Sequence, residues 1–191
     1  LPFFQIINAL LIMFISRQKA LKTLLSSLFA LPILAITKPT RRNEVAEFLE
    51  SHRRSRTYTL AVFDQMPREQ IDFKPLPEMF SFRRHFTHCI EFTAGQLVVR
   101  LGVKDPFAEM AWDKFTKAQT RQELTRFYDW VEKIVENATP EQLSKMGDFA
   151  TDQVDLLRLL YICENHLIHH RGTTMVYLRM CGVVPLGYVG W

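Results

Sequence analysis

Half of the chain's six histidines fall within five residues, as His166, His169 and His170. On a helix each residue advances about 100° around the axis, so His166 and His170 stand one above the other while His169 points well away from them. Two imidazoles at that spacing can take adjacent corners of one metal's coordination sphere. A helix end also favours cations through its dipole, so the spacing alone is equally compatible with a solvated histidine-rich terminus. A catalytic metal site usually takes three protein ligands and keeps a position open, so a third must come from another element. His85 and His88 lie together on an earlier helical stretch, and helical phase does not choose between them. The metalloprotease pattern HExxH is excluded, because Leu167 stands where its general-base glutamate belongs.

The elements that must carry these residues are helical. The stretch from Asn43 to about Met66 lacks Gly and Pro and repeats its apolar residues at helical spacing, and Pro67 stops it. The connector 67–78 holds three prolines and reads as an extended link. Ser81 reads as the N-cap of a second helix ending near Leu101, before Gly102. The stretch 105–117 reads as a short helix or irregular excursion carrying Phe107, Trp112 and Phe115. Thr120 and Glu123 match a capping box that opens a third helix, running to about Ala138. Thr139-Pro140-Glu141 marks a further start or turn, and a fourth long helix begins near Asp152 and runs through the histidines to Met180–Gly182. Four amphipathic helices without a strand pattern predict an all-α domain, an antiparallel four-helix bundle with room for a metal site between facing helices.

At 191 residues the chain has the length of one domain with a proper core. Its formal net charge of +4 has a local origin. Residues 1–40 contain Arg17, Lys19, Lys22 and Lys38 and no acidic residue, which leaves the rest balanced. The body therefore gives no reason to expect a nucleic-acid partner. Read from Met13, a basic segment precedes an apolar run from Thr23 to Ala35, the layout of a secretory signal peptide. Gln18 departs from the twin-arginine variety by occupying the position of its second arginine. The apolar residues 1–12 leave a membrane anchor as the alternative. The expected division is thus a leader over 1–40 and a helical domain over 41–191. The protein is exported or membrane-anchored if that leader is a genuine signal and cytoplasmic otherwise, with membrane contact only through the leader. Cys89, Cys163 and Cys181 are odd in number and form no CxxC, so they read as packed thiols rather than a disulfide framework.

The segment His166-x-x-x-His170-Arg171-Gly172, followed by Tyr177-Leu178-Arg179 and Val184-Pro185-Leu186-Gly187-Tyr188, resembles the C-terminal signature of the DinB/YfiT-like family. Phe63-Asp-Gln-Met-Pro67, Phe73-Lys-Pro75 and Ser81-Phe82 with His88 six residues on are similar to its first linker and second helix. The resemblance runs from about residue 43 to 191, and Thr173 departs from it where the family most often has Gln. It implies a four-helix bundle holding a divalent metal on His88, His166 and His170, with Zn²⁺ or Ni²⁺ foremost. It also implies a small-molecule substrate, with transfer to a low-molecular-weight thiol of the bacillithiol or mycothiol kind, or metal-dependent hydrolysis, as the reaction. A homodimer fits the same picture. Three neutral imidazoles leave such an ion its full charge, which can acidify bound water to a pKa of about 7 or hold a thiol as thiolate. The competing expectation is a non-catalytic bundle whose metal is structural or absent. Arg171 is a candidate for orienting an anion, Cys89 for a nucleophile, and Glu91 and Glu164 for supporting the ligand histidines. Each has a plainer reading as a helix-end contact, a packed thiol or a solvated charge. Tyr188 and Trp191 either close over the pocket or pack on the bundle end.

Overall fold

The computed structural model describes residues 41–189, and side chains from Asn43 onward. The expected leader over 1–40 and Trp191 lie outside the described residues. Helix α1 spans Arg41–Gln65. Its buried positions Phe48, His52, Ser55, Thr59, Val62 and the following Met66 recur every three or four residues, the period of one helical face. Three of those six are polar, so α1 feeds a strip of hydrogen-bonding groups into the core.

Helix α2, Phe82–Leu101, starts and stops where its caps predict. The Ser81 hydroxyl accepts from the Arg84 amide, and Gly102 closes the helix in the left-handed region at φ 67, which glycine adopts at little cost. Helix α3 spans Lys117–Glu136 and begins one turn earlier than Thr120 indicates. The reciprocal capping box is Thr116 with Gln119, while Thr120 is fully buried inside the first turn and bonds back to the Thr116 carbonyl at 3.1 Å. The same Thr-x-x-acceptor pattern thus occurs twice, four residues apart, and burial selects which threonine is free to cap. A five-residue helix α4, Pro140–Ser144, is opened by a second capping box, Thr139 with Gln142. Next comes a hairpin, β1 Gly147–Phe149 antiparallel to β2 Asp152–Val154, with Gly147 opposite Val154. Its second strand occupies residues expected to begin the last helix. Helix α5 starts at Leu156 instead, capped by Asp155, and runs to Met180.

The four long helices form the expected bundle, and side-chain pairs fix their directions. Arg53 meets Glu132 and Glu136, and Arg121 meets Asp64, so α1 and α3 are antiparallel. Arg100 reaches the Val154 carbonyl at 2.7 Å while His85 meets His170, so α2 and α5 are antiparallel. His52 meets Glu164 and Ser55 meets Arg171, so α1 and α5 run the same way. Each of α1 and α2 packs on both α3 and α5. The order is made possible by residues 102–116, which carry the chain back along the bundle between α2 and α3. This crossover is irregular apart from one 3₁₀ turn at Trp112–Lys114. Its Phe107 and Trp112 are buried, and the buried Arg83 guanidinium holds the Trp112 and Phe115 carbonyls and Asp72. Among the described residues no helix is long and apolar enough to cross a membrane.

Candidate metal centre

The antiparallel pairing of α2 with α5 sets His88 opposite His166 and His170. A ring nitrogen from each of the three lies within 4.8 Å of the others. Ring centroids are 5.1 Å apart for His88 and His166, 5.0 Å for His88 and His170, and 4.5 Å for His166 and His170. The Nε2 atoms of His166 and His170 face each other at 3.0 Å. Ligand nitrogens around a tetrahedral zinc stand about 3.3 Å apart, given bonds of about 2.0–2.1 Å. The cluster is therefore close to the size an ion requires. Among the described residues no other group of three or more His, Cys, Asp or Glu side chains converges in this way.

The charge state of these rings suits the same purpose. Burial is the largest influence on each and lowers the pKa of His88, His166 and His170 below the ordinary histidine value. For His170 the neighbouring histidines add to it, bringing the value to about 3. Near neutral pH the rings are uncharged and their lone pairs are available to a cation. Among the described residues no carboxylate joins the cluster. Glu91 is held by Arg84 at 2.7 Å on the rim, and Glu164 is buried and turned to His52 at 3.0 Å. Among the described residues the donor set is thus all-imidazole and carries no negative charge to offset that of an ion.

Aromatic rings wall the cluster. Phe92 lies 4.2 Å from the His166 ring and makes an edge contact with Phe149 of the hairpin. Phe80, in the loop before α2, stands 5.1 Å from His88 and stacks 6.1 Å from His170. Phe80 is 39% exposed, so the wall opens to solvent on that side.

The remaining candidates separate clearly. His85 is buried and sits on the far side of the His170 ring, Nδ1 to Nδ1 at 2.8 Å. His169 is exposed, with its ring 5.2 Å from that of His170. Arg171 points neither to solvent nor to the histidines. Its buried guanidinium donates to the Ser55 and Thr59 hydroxyls at 3.0 and 2.8 Å and lies over the Tyr58 ring. Glu164 supports His52 of α1 rather than a member of the cluster, a pairing that no local sequence pattern signals. Cys89 is a packed thiol whose pKa burial pushes up. Tyr188 is 81% exposed. It borders a cavity of about 400 Å³ with Arg54, Tyr58, Ile168 and Leu186, on the side of α5 away from His166. The ligand-sized cavity and the histidine cluster are therefore separate features.

Comparison with known proteins agrees with this architecture. The family model for the DinB superfamily matches residues 51–174. A DinB-like protein from Bacillus subtilis, YjoA, superimposes with a TM-score of 0.60 at 22% identity, covering 74% of this chain and 96% of that one. A DinB-like protein from Bacillus cereus gives 0.57 at 23% identity, covering 75% and 97%. YfiT from Bacillus subtilis gives 0.56 at 12% identity, covering 77% and 92%, and is described as a probable metal-dependent hydrolase with an unusual four-helix bundle topology. No curated protein matches the sequence.

Proposed function

The chain belongs to the DinB superfamily, and from that premise we propose that it is a metalloenzyme holding one divalent cation on His88, His166 and His170. The observation that carries this reading is the convergence of three uncharged imidazoles on one point within 4.8 Å, with no fourth protein ligand among the described residues. Structural zinc sites are closed by four ligands, whereas catalytic ones keep a position for water or substrate. Bound there, a divalent cation supplies Lewis acidity undiminished by any anionic ligand. The chain's own part is to fix the three nitrogens on two antiparallel helices and to screen them with Phe80, Phe92 and Phe149. The reaction best supported is hydrolysis of a small molecule, in line with the description of YfiT. Transfer to a low-molecular-weight thiol is the second reading. It is favoured by the all-imidazole donor set, which attracts an anionic sulfur.

The test is metal content and spectroscopy of the purified full chain. About one divalent ion per chain is expected, lost in His88→Ala, His166→Ala and His170→Ala and kept in His169→Ala. With Co²⁺ as the probe ion, an absorption spectrum that responds to added small thiol or to pH marks an open site. A spectrum indifferent to both marks a closed, structural one and favours the non-catalytic reading.

A further inference from the structure

Histidine ligands normally direct their second nitrogen to a carboxylate, a backbone carbonyl or water, which fixes the tautomer and ring orientation. His170 directs its second nitrogen elsewhere. Its Nε2 faces His166 at 3.0 Å, and its Nδ1 meets the Nδ1 of His85 at 2.8 Å. We propose that His85 is a positioning residue for the cation site, its neutral imidazole accepting the Nδ1 proton of His170 so that the His170 Nε2 lone pair is turned to the ion. This rests on the metal reading above.

Two facing nitrogens 2.8 Å apart share a single proton, and its location decides what His170 can do. If His85 donated, the neutral His170 ring would carry its own proton on Nε2, and that atom could not ligate. If His170 donates, Nε2 is free and His85 keeps its proton on its own Nε2. That second arrangement is the one compatible with a cation among the three rings. The surroundings hold His85 still. It is buried on α2, one turn before His88, and its ring makes edge contacts with Phe80 at 5.7 Å and Tyr177 at 5.2 Å. Tyr177 is itself pinned by its hydroxyl donating to the Phe80 carbonyl at 3.2 Å. His166 Nδ1 and His85 Nε2, by contrast, are both buried without a hydrogen-bond partner among the described residues. A neutral acceptor also draws less on the Nδ1 proton than a carboxylate would. His170 then gives less electron density to the ion, which stays more electrophilic.

The experiment measures Zn²⁺ affinity by chelator competition on the full chain, beside proton NMR of the Co²⁺-loaded form. In wild type an exchangeable, paramagnetically shifted N–H from His170 is expected to persist in water. His85→Phe keeps the ring and removes the acceptor. It should bind Zn²⁺ about 10–100-fold more weakly at unchanged stoichiometry, the usual effect of losing such a partner, and the N–H signal should broaden or vanish. His85→Gln, which offers a carbonyl oxygen, should recover most of both. A His85→Phe chain with wild-type affinity and an unchanged signal overturns the proposal. So does complete loss of the ion in both variants, which would make His85 a ligand. Thermal melts of the metal-free variants separate a folding defect from either result, with His85→Gln carrying the test if His85→Phe fails to fold. If wild type itself takes up no ion, the metal reading has failed and not merely this refinement.

Discussion

Arg171 takes its charge into the bundle among two hydroxyls, the Ser55 carbonyl at 3.4 Å and an aromatic face. Hydrogen bonds to a charged group contribute about 1.5–3 kcal/mol each. With two such bonds to hydroxyls, Arg171→Ala should therefore destabilise the chain by about 3–6 kcal/mol in urea unfolding, while the metal content at saturating ion stays that of wild type. Lost metal with unchanged stability would instead tie Arg171 to the site. His52 and Glu164 make a sharper case, since both are buried and each is the other's partner. Removing one partner of a buried pair costs about 3–5 kcal/mol, while replacing both by apolar residues is often nearly neutral. A His52→Leu/Glu164→Leu double variant should thus be more stable than either single one, and additive losses in the cycle would refute the coupling. Cysteine labelling reads burial directly. Burial raises the thiol pKa of Cys163 to about 12 and that of Cys89 further still, so at pH 8 neither holds appreciable thiolate. Native protein should expose one thiol to a water-soluble reagent, the half-buried Cys181, and denatured protein all three. None of these partnerships can be read from sequence spacing, because Arg171 and Glu164 meet residues more than a hundred positions away.

At the scale of elements, legibility followed the caps. Ser81 and Gly102 bound α2 because each has a single candidate in its neighbourhood. At α3 two threonines competed, and only burial of Thr120 in the finished core decides for Thr116. Thr116→Ala is accordingly expected to cost about 1 kcal/mol by denaturant melt, the usual value of a lost N-cap. A cost near zero would mean that the Thr116–Gln119 box contributes nothing to holding α3. The hairpin has no sequence signature, because three-residue strands are too short for alternation to stand out against a helical background. The crossover at 102–116 is irregular in sequence and yet fixed in space by two buried rings and Arg83. Phe107→Ala should cost about 3–5 kcal/mol, as for other buried aromatic truncations. A cost below 1 kcal/mol would mean that the crossover merely drapes over the bundle. Helical phase left His85 and His88 equivalent as third candidates. They differ in which side of the His170 ring each meets and in that His88 alone also faces His166, which is a property of the α2–α5 pairing.

For the molecule as a whole, composition and helical period were enough to expect four helices around one core, but the chain directions were not. A crossover that returns along the bundle makes α1 and α5 parallel, and no local pattern encodes that choice. The histidine cluster draws on two helices brought together late along the chain. His85 and His170 are 85 residues apart in sequence, and they meet only when α5 docks on α2. An ion gripped by both helices would act as a removable crosslink across that long loop. Contacts that form after the folding barrier slow unfolding and leave refolding little changed. The lifetime of the folded chain, and with it resistance to proteases, would then follow the supply of metal. A chelator-stripped chain should unfold faster in denaturant jumps and be digested sooner than the loaded one, while refolding at a similar rate. Metal scarcity would therefore be felt first as faster turnover of the protein.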